Sequence, residues 1–109
     1  MQYRDIMSSK LWVVKTTLPE SMTEEEITSF FHKLIESGAA CIQHHMVTST
    51  YKWEGEMKSE SEWSIQIKVS KQSKQAVTEL IQEMHPYDVP QMIMKKWESS
   101  DVYLEWIDN

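Results

Sequence analysis

The chain has 109 residues, 40% hydrophobic and 26% charged, a balance typical of a single globular domain. Its net charge of −6 disfavours nucleic-acid binding, which needs a basic face to neutralise phosphates, and favours cationic partners such as divalent metal ions. The single cysteine, Cys41, excludes an internal disulfide and any zinc site built from cysteine pairs. We interpret Cys41 as a small buried side chain.

The N-terminal sequence indicates neither a targeting segment nor a membrane span. Its first residues carry no basic stretch followed by an apolar stretch, so we expect no signal peptide. The longest apolar run near the start, residues 11–14, is far shorter than the roughly 20 residues that a membrane helix needs. We therefore expect a single cytoplasmic domain over residues 1–109, with no membrane partner.

A short strand and an amphipathic helix open the predicted fold. Residues 11–17 are apolar enough for a strand that is buried on both faces. The sequence from Thr23 to Glu26 has the form of a helix capping box, and Gly38 stands where a helix commonly ends. The apolar stripe between them follows the helical period and consists of Ile27, Phe30, Phe31, Leu34 and Ile35.

Two long antiparallel strands are predicted on either side of Gly55, which we expect to form a hairpin turn or a bulge. The first strand covers residues 39–53. The second alternates strictly, which predicts one apolar and one polar face. The apolar face carries Trp63, Ile65, Ile67 and Val69, and the polar face carries Ser64, Gln66 and Lys68.

The period then changes from that of a strand to that of a helix. Ser70 or Ser73 is the candidate cap of this second helix, which ends at His85 because proline follows. Residues 91–97 predict a further strand, and residues 99–101 can cap a short terminal helix, although a strand is also possible there. The apolar face of the second helix consists of Ala76, Val77, Leu80, Ile81 and Met84.

The resulting order is β-α-β-β-α-β with a C-terminal appendage. Right-handed crossovers place both helices on the same face of a four-stranded antiparallel sheet, which is the ferredoxin-like split β-α-β fold of the α+β class. This arrangement leaves the second face of the sheet open. An open apolar face, in a chain with five tryptophans and eight methionines, predicts oligomerisation.

Several blocks of the sequence resemble one family. Tyr51–Gly55 (Y-K-W-E-G) and Glu62–Lys68 (E-W-S-I-Q-I-K) are similar to the Y-x-W-x-G and E-x-x-x-x-x-K block of the CutA-type divalent-cation tolerance proteins. Order and spacing fit over residues 13–107. The family's A-A-C, H-P-Y-x-x-P and Y-L-x-W blocks are matched by Ala39–Cys41, His85–Pro90 and Tyr103–Trp106.

The resemblance implies a ferredoxin-like homotrimer whose long hairpin strands run across into neighbouring subunits. It also implies tolerance to copper and other divalent cations, with copper binding in some members. It brings no catalysed reaction with it for this chain. Several relatives carry a cysteine shortly before a T-x-P sequence, where this chain has Thr16. A soft thiolate ligand for copper is therefore missing.

His85 and Glu62 are the candidate metal ligands, with Tyr87 and Asp88 close to the histidine in sequence. A neutral imidazole is the commonest transition-metal ligand near neutral pH, and a carboxylate from a facing strand can join it. The structural alternative is a histidine that caps helix carbonyls while Glu62 pairs with a lysine.

Other candidates are weaker. His44 and His45 are adjacent on a strand, point to opposite faces and cannot chelate one ion from a single subunit. The methionines form no copper-binding cluster and suit the core and interfaces. No catalytic set is present: the sequence has no glycine-rich phosphate loop, no nucleophile with an evident base and no H-E-x-x-H. We expect a protein that is not an enzyme.

The aromatic side chains outnumber what a monomer core needs, which favours a subunit interface. The functional alternative is a cleft between subunits that binds a small ligand, lined by Tyr51, Trp53, Tyr87 and Trp106. Two functions therefore remain open: a homotrimeric metal-responsive or copper-binding tolerance protein, and a trimeric signalling or interaction module.

Overall fold

The predicted order of strands and helices is confirmed by the computed structural model, which describes residues 7–109. Residues 1–6, on which the expectation of no signal peptide mainly rests, are outside that range. Within the described part, no helix is long and apolar enough to cross a membrane. The elements are β1 (Ser9–Pro19), α1 (Glu24–Glu36), β2 (Ala39–Trp53), β3 (Glu56–Val69), α2 (Lys74–Met84), β4 (Ile93–Ser99) and α3 (Asp101–Asp108).

The four strands form one antiparallel sheet in the order β2-β3-β1-β4, the order of a ferredoxin-like fold. In its centre, Val14 of β1 pairs with Ile67 of β3 on one side and with Met94 of β4 on the other. Strand β4 begins at Ile93, two residues later than predicted, and continues to Ser99. The last β1–β4 pair is therefore Lys15 with Ile93.

The main core lies between the sheet and the two longer helices. The alternation predicted for β3 is confirmed, since Ile65, Ile67 and Val69 are fully buried on the helix side. Ile35, predicted on the apolar stripe of α1, is 48% exposed because it lies at the margin of that stripe. The helix and strand residues that complete the core include Phe30, Leu34, Val77, Ile81, Val14 and Leu18.

The helices begin and end largely as the sequence indicates. The Thr23 hydroxyl accepts the Glu26 N–H at 3.1 Å, and the Glu26 carboxylate accepts the Thr23 N–H at 2.9 Å, which completes the capping box. These hydrogen bonds lower the pKa of the Glu26 carboxyl. Helix α2 begins after Ser73, whose side chain makes no cap hydrogen bond. Gly38 follows α1 with a φ of +117°.

The second face of the sheet, opposite α1 and α2, is not fully open as predicted, because α3 packs on part of it. Leu11 and Val13 of β1 point toward this second face, because they alternate with the residues on the helix side. They are nevertheless only 5% and 1% exposed. Ile107 of α3 is buried as well. The Asp101 carboxylate accepts hydrogen bonds from the Ser8 and Ser9 hydroxyls, which ties the start of α3 to β1.

The hairpin of β2 and β3 extends beyond the rest of the sheet. Strand β1 ends opposite Glu62, so residues 48–61, which we call the arm, pair only with each other. Glu54 and Gly55 have φ values of +52° and +82°, the signature of a two-residue primed turn, and Gly55 therefore forms the predicted turn. Nearly every residue of the arm is exposed, and the molecule is 52 Å long.

Candidate functional site

A chain of hydrogen bonds connects the three residues that the sequence analysis placed at the metal site. Beyond Lys15, the edge of β1 is flanked by the loop 85–92 instead of β4. The His85 Nε2 donates to the Thr17 carbonyl oxygen at 2.7 Å, and the Nδ1 accepts the Tyr87 N–H at 3.1 Å. These partners fix the neutral tautomer with its proton on Nε2. Both ring nitrogens of His85 are therefore engaged within one chain.

Tyr87 carries the chain of hydrogen bonds on to β3. Its hydroxyl donates to the Glu62 Oε2 at 2.8 Å. The Glu62 side chain is 8% exposed, and among residues 7–109 no lysine or arginine pairs with it. Burial and the bond to Glu62 together raise the pKa of the Tyr87 hydroxyl well above its ordinary value. The structure thus places a nearly buried carboxylate against a neutral phenol, without the lysine partner that the structural alternative predicted.

A second tyrosine–glutamate pair lies beside the first. The Tyr51 hydroxyl donates to the Glu60 Oε1 at 2.7 Å, and this bond raises the pKa of the phenol. Glu60 and Glu62 are two residues apart on β3, so their side chains share the second face of the sheet. The Tyr51–Glu60 pair is exposed, whereas Glu62 is buried. The same kind of tyrosine–glutamate hydrogen bond therefore occurs once in solvent, at Glu60, and once where the carboxylate is largely shielded from water, at Glu62.

The remaining residues of the predicted ligand cleft are separate within one chain. Trp53 lies near the tip of the arm and is 44% exposed. Trp106 lies on α3, stacked on Tyr103 with 5.8 Å between ring centroids, and is 57% exposed. In the described part of the chain, neither tryptophan makes a ring contact or a hydrogen bond with Tyr87. A cleft that contains all four aromatic residues stays a prediction about the assembled protein.

The paired histidines of β2 behave as the strand geometry predicts. His44 packs on the helix side, with ring centroids 4.9 Å from Phe31 and 5.4 Å from Trp63. His45, the next residue along the strand, lies on the opposite face. No group of three or more histidine, cysteine, aspartate or glutamate side chains that could hold a metal occurs between residues 7 and 109.

Thr16 belongs to the candidate site, although only the family resemblance had drawn attention to this residue. Its hydroxyl oxygen lies 3.2 Å from the His85 Nε2, and its side chain is 1% exposed. The position that the resemblance aligns with a cysteine is therefore in contact with His85, the histidine of the H-P-Y block. Their separation of 69 residues in the chain concealed this contact.

We expect His85→Gln to reduce the loss of stability at acid pH. Burial lowers the pKa of His85 below its ordinary 6.5, against the opposing effects of Thr17 and Glu62. A lowered pKa means that the unfolded chain binds this proton more readily, so stability is retained above pH 6.5 and lost as the pH falls through the folded pKa.

Urea unfolding midpoints of the two proteins, measured from pH 8 down to about pH 5, test this prediction. Glutamine keeps a side-chain N–H for the Thr17 carbonyl and does not titrate. Parallel pH profiles of the wild type and the variant would contradict it.

The strand order, the β-α-β-β-α-β sequence and the helix positions define an α+β protein of the ferredoxin-like type. Residues 12–109 match the family model described as CutA1 divalent ion tolerance protein. The chain belongs to this family.

Named relatives agree with this family membership. The chain is 30% identical over 107 residues to the divalent-cation tolerance protein CutA of Citrobacter koseri, covering 96% of this chain and 91% of that protein. It is 33% identical over 99 residues to the chloroplastic protein CutA of Arabidopsis thaliana, covering 89% of this chain but only about half (53%) of that protein.

Solved structures extend the agreement to three dimensions. CutA from Synechococcus elongatus has a TM-score of 0.81 and 26% identity, with 94% of this chain and 91% of that chain covered. CutA1 from Ehrlichia chaffeensis has a TM-score of 0.79 and 30% identity, with 90% and 92% covered.

Proposed function

We propose that this chain acts as a homotrimeric divalent-cation tolerance protein. We propose further that it binds a divalent ion near His85 and Glu62, with copper as the first candidate. Its family membership supports cation tolerance as the general role. The observation that carries the proposed position is the buried Glu62 carboxylate, which has a phenol and no cation beside it within residues 7–109. A carboxyl group that is largely removed from water and has no basic side chain beside it is a favourable position for a bound cation, which would offset the cost of its burial.

The side chains of a single chain supply only some of the ligands that a divalent cation needs. Within the described residues, the Glu62 Oε1 accepts no hydrogen bond, so it is available as a ligand. His85 becomes a ligand only if its Nδ1 releases the Tyr87 N–H. The Thr16 hydroxyl beside the imidazole is a harder donor than the thiolate that the resemblance implies at this position, which weakens the preference for copper(I). The proposed site therefore takes further ligands from a second copy or from movement of the loop 85–92.

The test of this proposal is calorimetric titration of the protein with copper(II) and zinc(II), alongside His85→Ala. If the wild-type protein binds the ion and the variant does not, the result supports His85 as a ligand. Uptake that is unchanged in the variant removes His85 from the site.

The arm supports the proposed homotrimer. It is a two-stranded ribbon with which no other strand among residues 7–109 pairs, and such ribbons are marginal in water unless they pack on something else. It also exposes Tyr51, Trp53 and Met57, the last at 82%. A neighbouring copy is the partner that would bury these side chains.

We expect light scattering to give a mass of about three times the 12.9 kDa of one chain. The double variant Tyr51→Ser/Trp53→Ser removes apolar area from one face of the arm and is expected to shift the protein toward monomer at micromolar concentration. The matched control is Ile35→Ser, which removes a comparably exposed apolar side chain from α1. Monomeric wild type, or equal dissociation of both variants, would contradict the proposal.

The second candidate function is a trimeric signalling or interaction module with a small ligand in a cleft between subunits. The observation in its favour is the exposure of Tyr51, Trp53 and Trp106 in one chain. The CutA protein of Nostoc, whose structure is known in the apo form and which is 28% identical to this chain, is described as PII-like. Ligand uptake that a chelator does not abolish would favour this candidate over the metal-binding one.

We also propose that the protein acts by binding and not by catalysis, and that it works in the cytoplasm. The Arabidopsis relative is named as chloroplastic, and a structurally similar Archaeoglobus fulgidus protein is described as periplasmic. Subcellular fractionation with a specific antibody tests the proposed location.

A further inference from the structure

Two lysines lie beside one tryptophan on the helix side of the sheet. Trp12 of β1 packs against the main core, and Lys96 of β4 is its cross-strand partner, so the two side chains share a face. The Lys96 Nζ lies 5.3 Å from the centroid of the Trp12 ring, and the Lys74 Nζ of α2 lies 3.5 Å from it. The sum of these two distances, about 9 Å, is the largest possible separation of the two ammonium groups.

Neither ammonium group has a carboxylate partner in the part of the chain that the structure describes. Glu98, two residues from Lys96 on β4, is paired with Lys10 at 3.3 Å. The first turn of α2 contains no acidic residue, and Lys74 is nevertheless partly buried. A contact with the Trp12 ring accounts for one ammonium group, but two of them beside one ring repel each other. An anion held between them would replace this repulsion with attraction.

The lysine pair is separate from the proposed metal site and from the proposed contacts between subunits. Trp12 shares the helix side of the sheet with Val14, whereas Glu62 lies on the second face. Helix α2, which carries Lys74, packs on the same helix side. A ligand at the lysine pair therefore needs neither the second face nor the arm to be free of neighbouring copies.

We propose that Lys74 and Lys96 together bind a diphosphate group, either as the free anion or as part of a nucleotide. Lysine binds phosphate as a point charge, whereas arginine is the residue that matches the planar geometry of a carboxylate. A diphosphate has anionic oxygens on both of its phosphorus atoms, so it can contact two separated ammonium groups at once. A single phosphate spans a shorter distance and would pair well with only one of them.

The test is titration of the metal-free protein with pyrophosphate, followed by the indole N–H resonance of Trp12. We expect a saturable shift, and we expect inorganic phosphate to bind at least about tenfold more weakly. Lys74→Met and Lys96→Met keep the length of the side chain and lose its charge. Each is expected to weaken pyrophosphate binding by at least about tenfold, whereas Lys96→Arg, which keeps the charge, is expected to retain most of it.

The matched control is Lys33→Met. Lys33 is an exposed lysine of α1, on the same side of the sheet, so this variant changes the net charge by the same amount. It is expected to bind pyrophosphate as the wild type does. ADP carries the same diphosphate group on a nucleoside. Binding of ADP that is tighter than that of pyrophosphate would assign the site to a nucleotide, and weaker binding would assign it to the free anion.

Three results would overturn the proposal. One is equal binding of pyrophosphate and inorganic phosphate, and another is equal binding of pyrophosphate by the wild type, Lys74→Met and Lys96→Met. The third is the absence of any saturable shift up to about 10 mM pyrophosphate, the result expected if acidic side chains of a neighbouring copy already pair with these lysines. Because the protein is free of metal in this titration, none of these outcomes depends on cation binding at Glu62.

Discussion

Replacing Gly38 with alanine is expected to lower the free energy of unfolding by about 2–4 kcal/mol, as the sum of backbone strain and overpacking. Gly38 has a φ of +117°, where residues with a Cβ are rarely found. An added Cβ would also lie 2.6 Å from the Ser73 Cβ and still closer to its hydroxyl oxygen. Because Gly38 follows α1 and Ser73 precedes α2, the substitution forces the two helices apart. Urea unfolding measures the loss.

The matched control is Gly55→Ala at the tip of the arm. Gly55 also has a positive φ, +82°, but nothing lies within 4 Å of an added Cβ. We expect only the strain of the left-handed conformation, about 1–2 kcal/mol. Adding Ser73→Gly to Gly38→Ala is expected to recover the overpacking part of the loss. Equal losses for the two single alanine variants, with no recovery, would contradict the close approach of the helices.

Glu62→Gln is expected to lower the affinity for the divalent cation by at least about a hundredfold, because it replaces the proposed anionic ligand with a neutral amide. The glutamine oxygen still accepts the hydrogen bond from the Tyr87 hydroxyl, so the fold should be retained. Competition titration against a chelator of known affinity measures the change.

Glu60→Gln is the control for this variant. Glu60 lies on the same face of β3 and accepts a hydrogen bond from Tyr51 in the same way, but it is exposed. We expect its variant to bind the cation with nearly wild-type affinity. Equal weakening by both substitutions would point to general electrostatic attraction instead of a site at Glu62.

Much of the fold was predictable because its signals are local. The alternation from Trp63 to Val69 defined the buried face of β3, and Gly55 marked the turn of the hairpin. The capping box at Thr23 gave the start of α1. The packing of α3 on the second face was not predicted, since it joins residues far apart in the sequence, such as Asp101 with Ser8 and Ser9 at the start of β1.

The candidate site was predictable only as a set of residues. The resemblance selected His85, Tyr87 and Glu62, and the structure connects them by hydrogen bonds. The engagement of both imidazole nitrogens could not be derived from the sequence, because Thr17 lies 68 residues away. The contact of Thr16 with the same ring was hidden for the same reason.

Calorimetric titration of the wild-type protein with copper(II) at neutral pH tests the central claim, a divalent-cation site near Glu62 and His85, most directly. We predict saturable binding with a simple ratio of ions to subunits, strongly weakened in Glu62→Gln. Heat no greater than that of dilution would contradict a metal site in this chain. The exposed aromatic side chains of the arm and α3 would then direct attention to a different ligand between subunits.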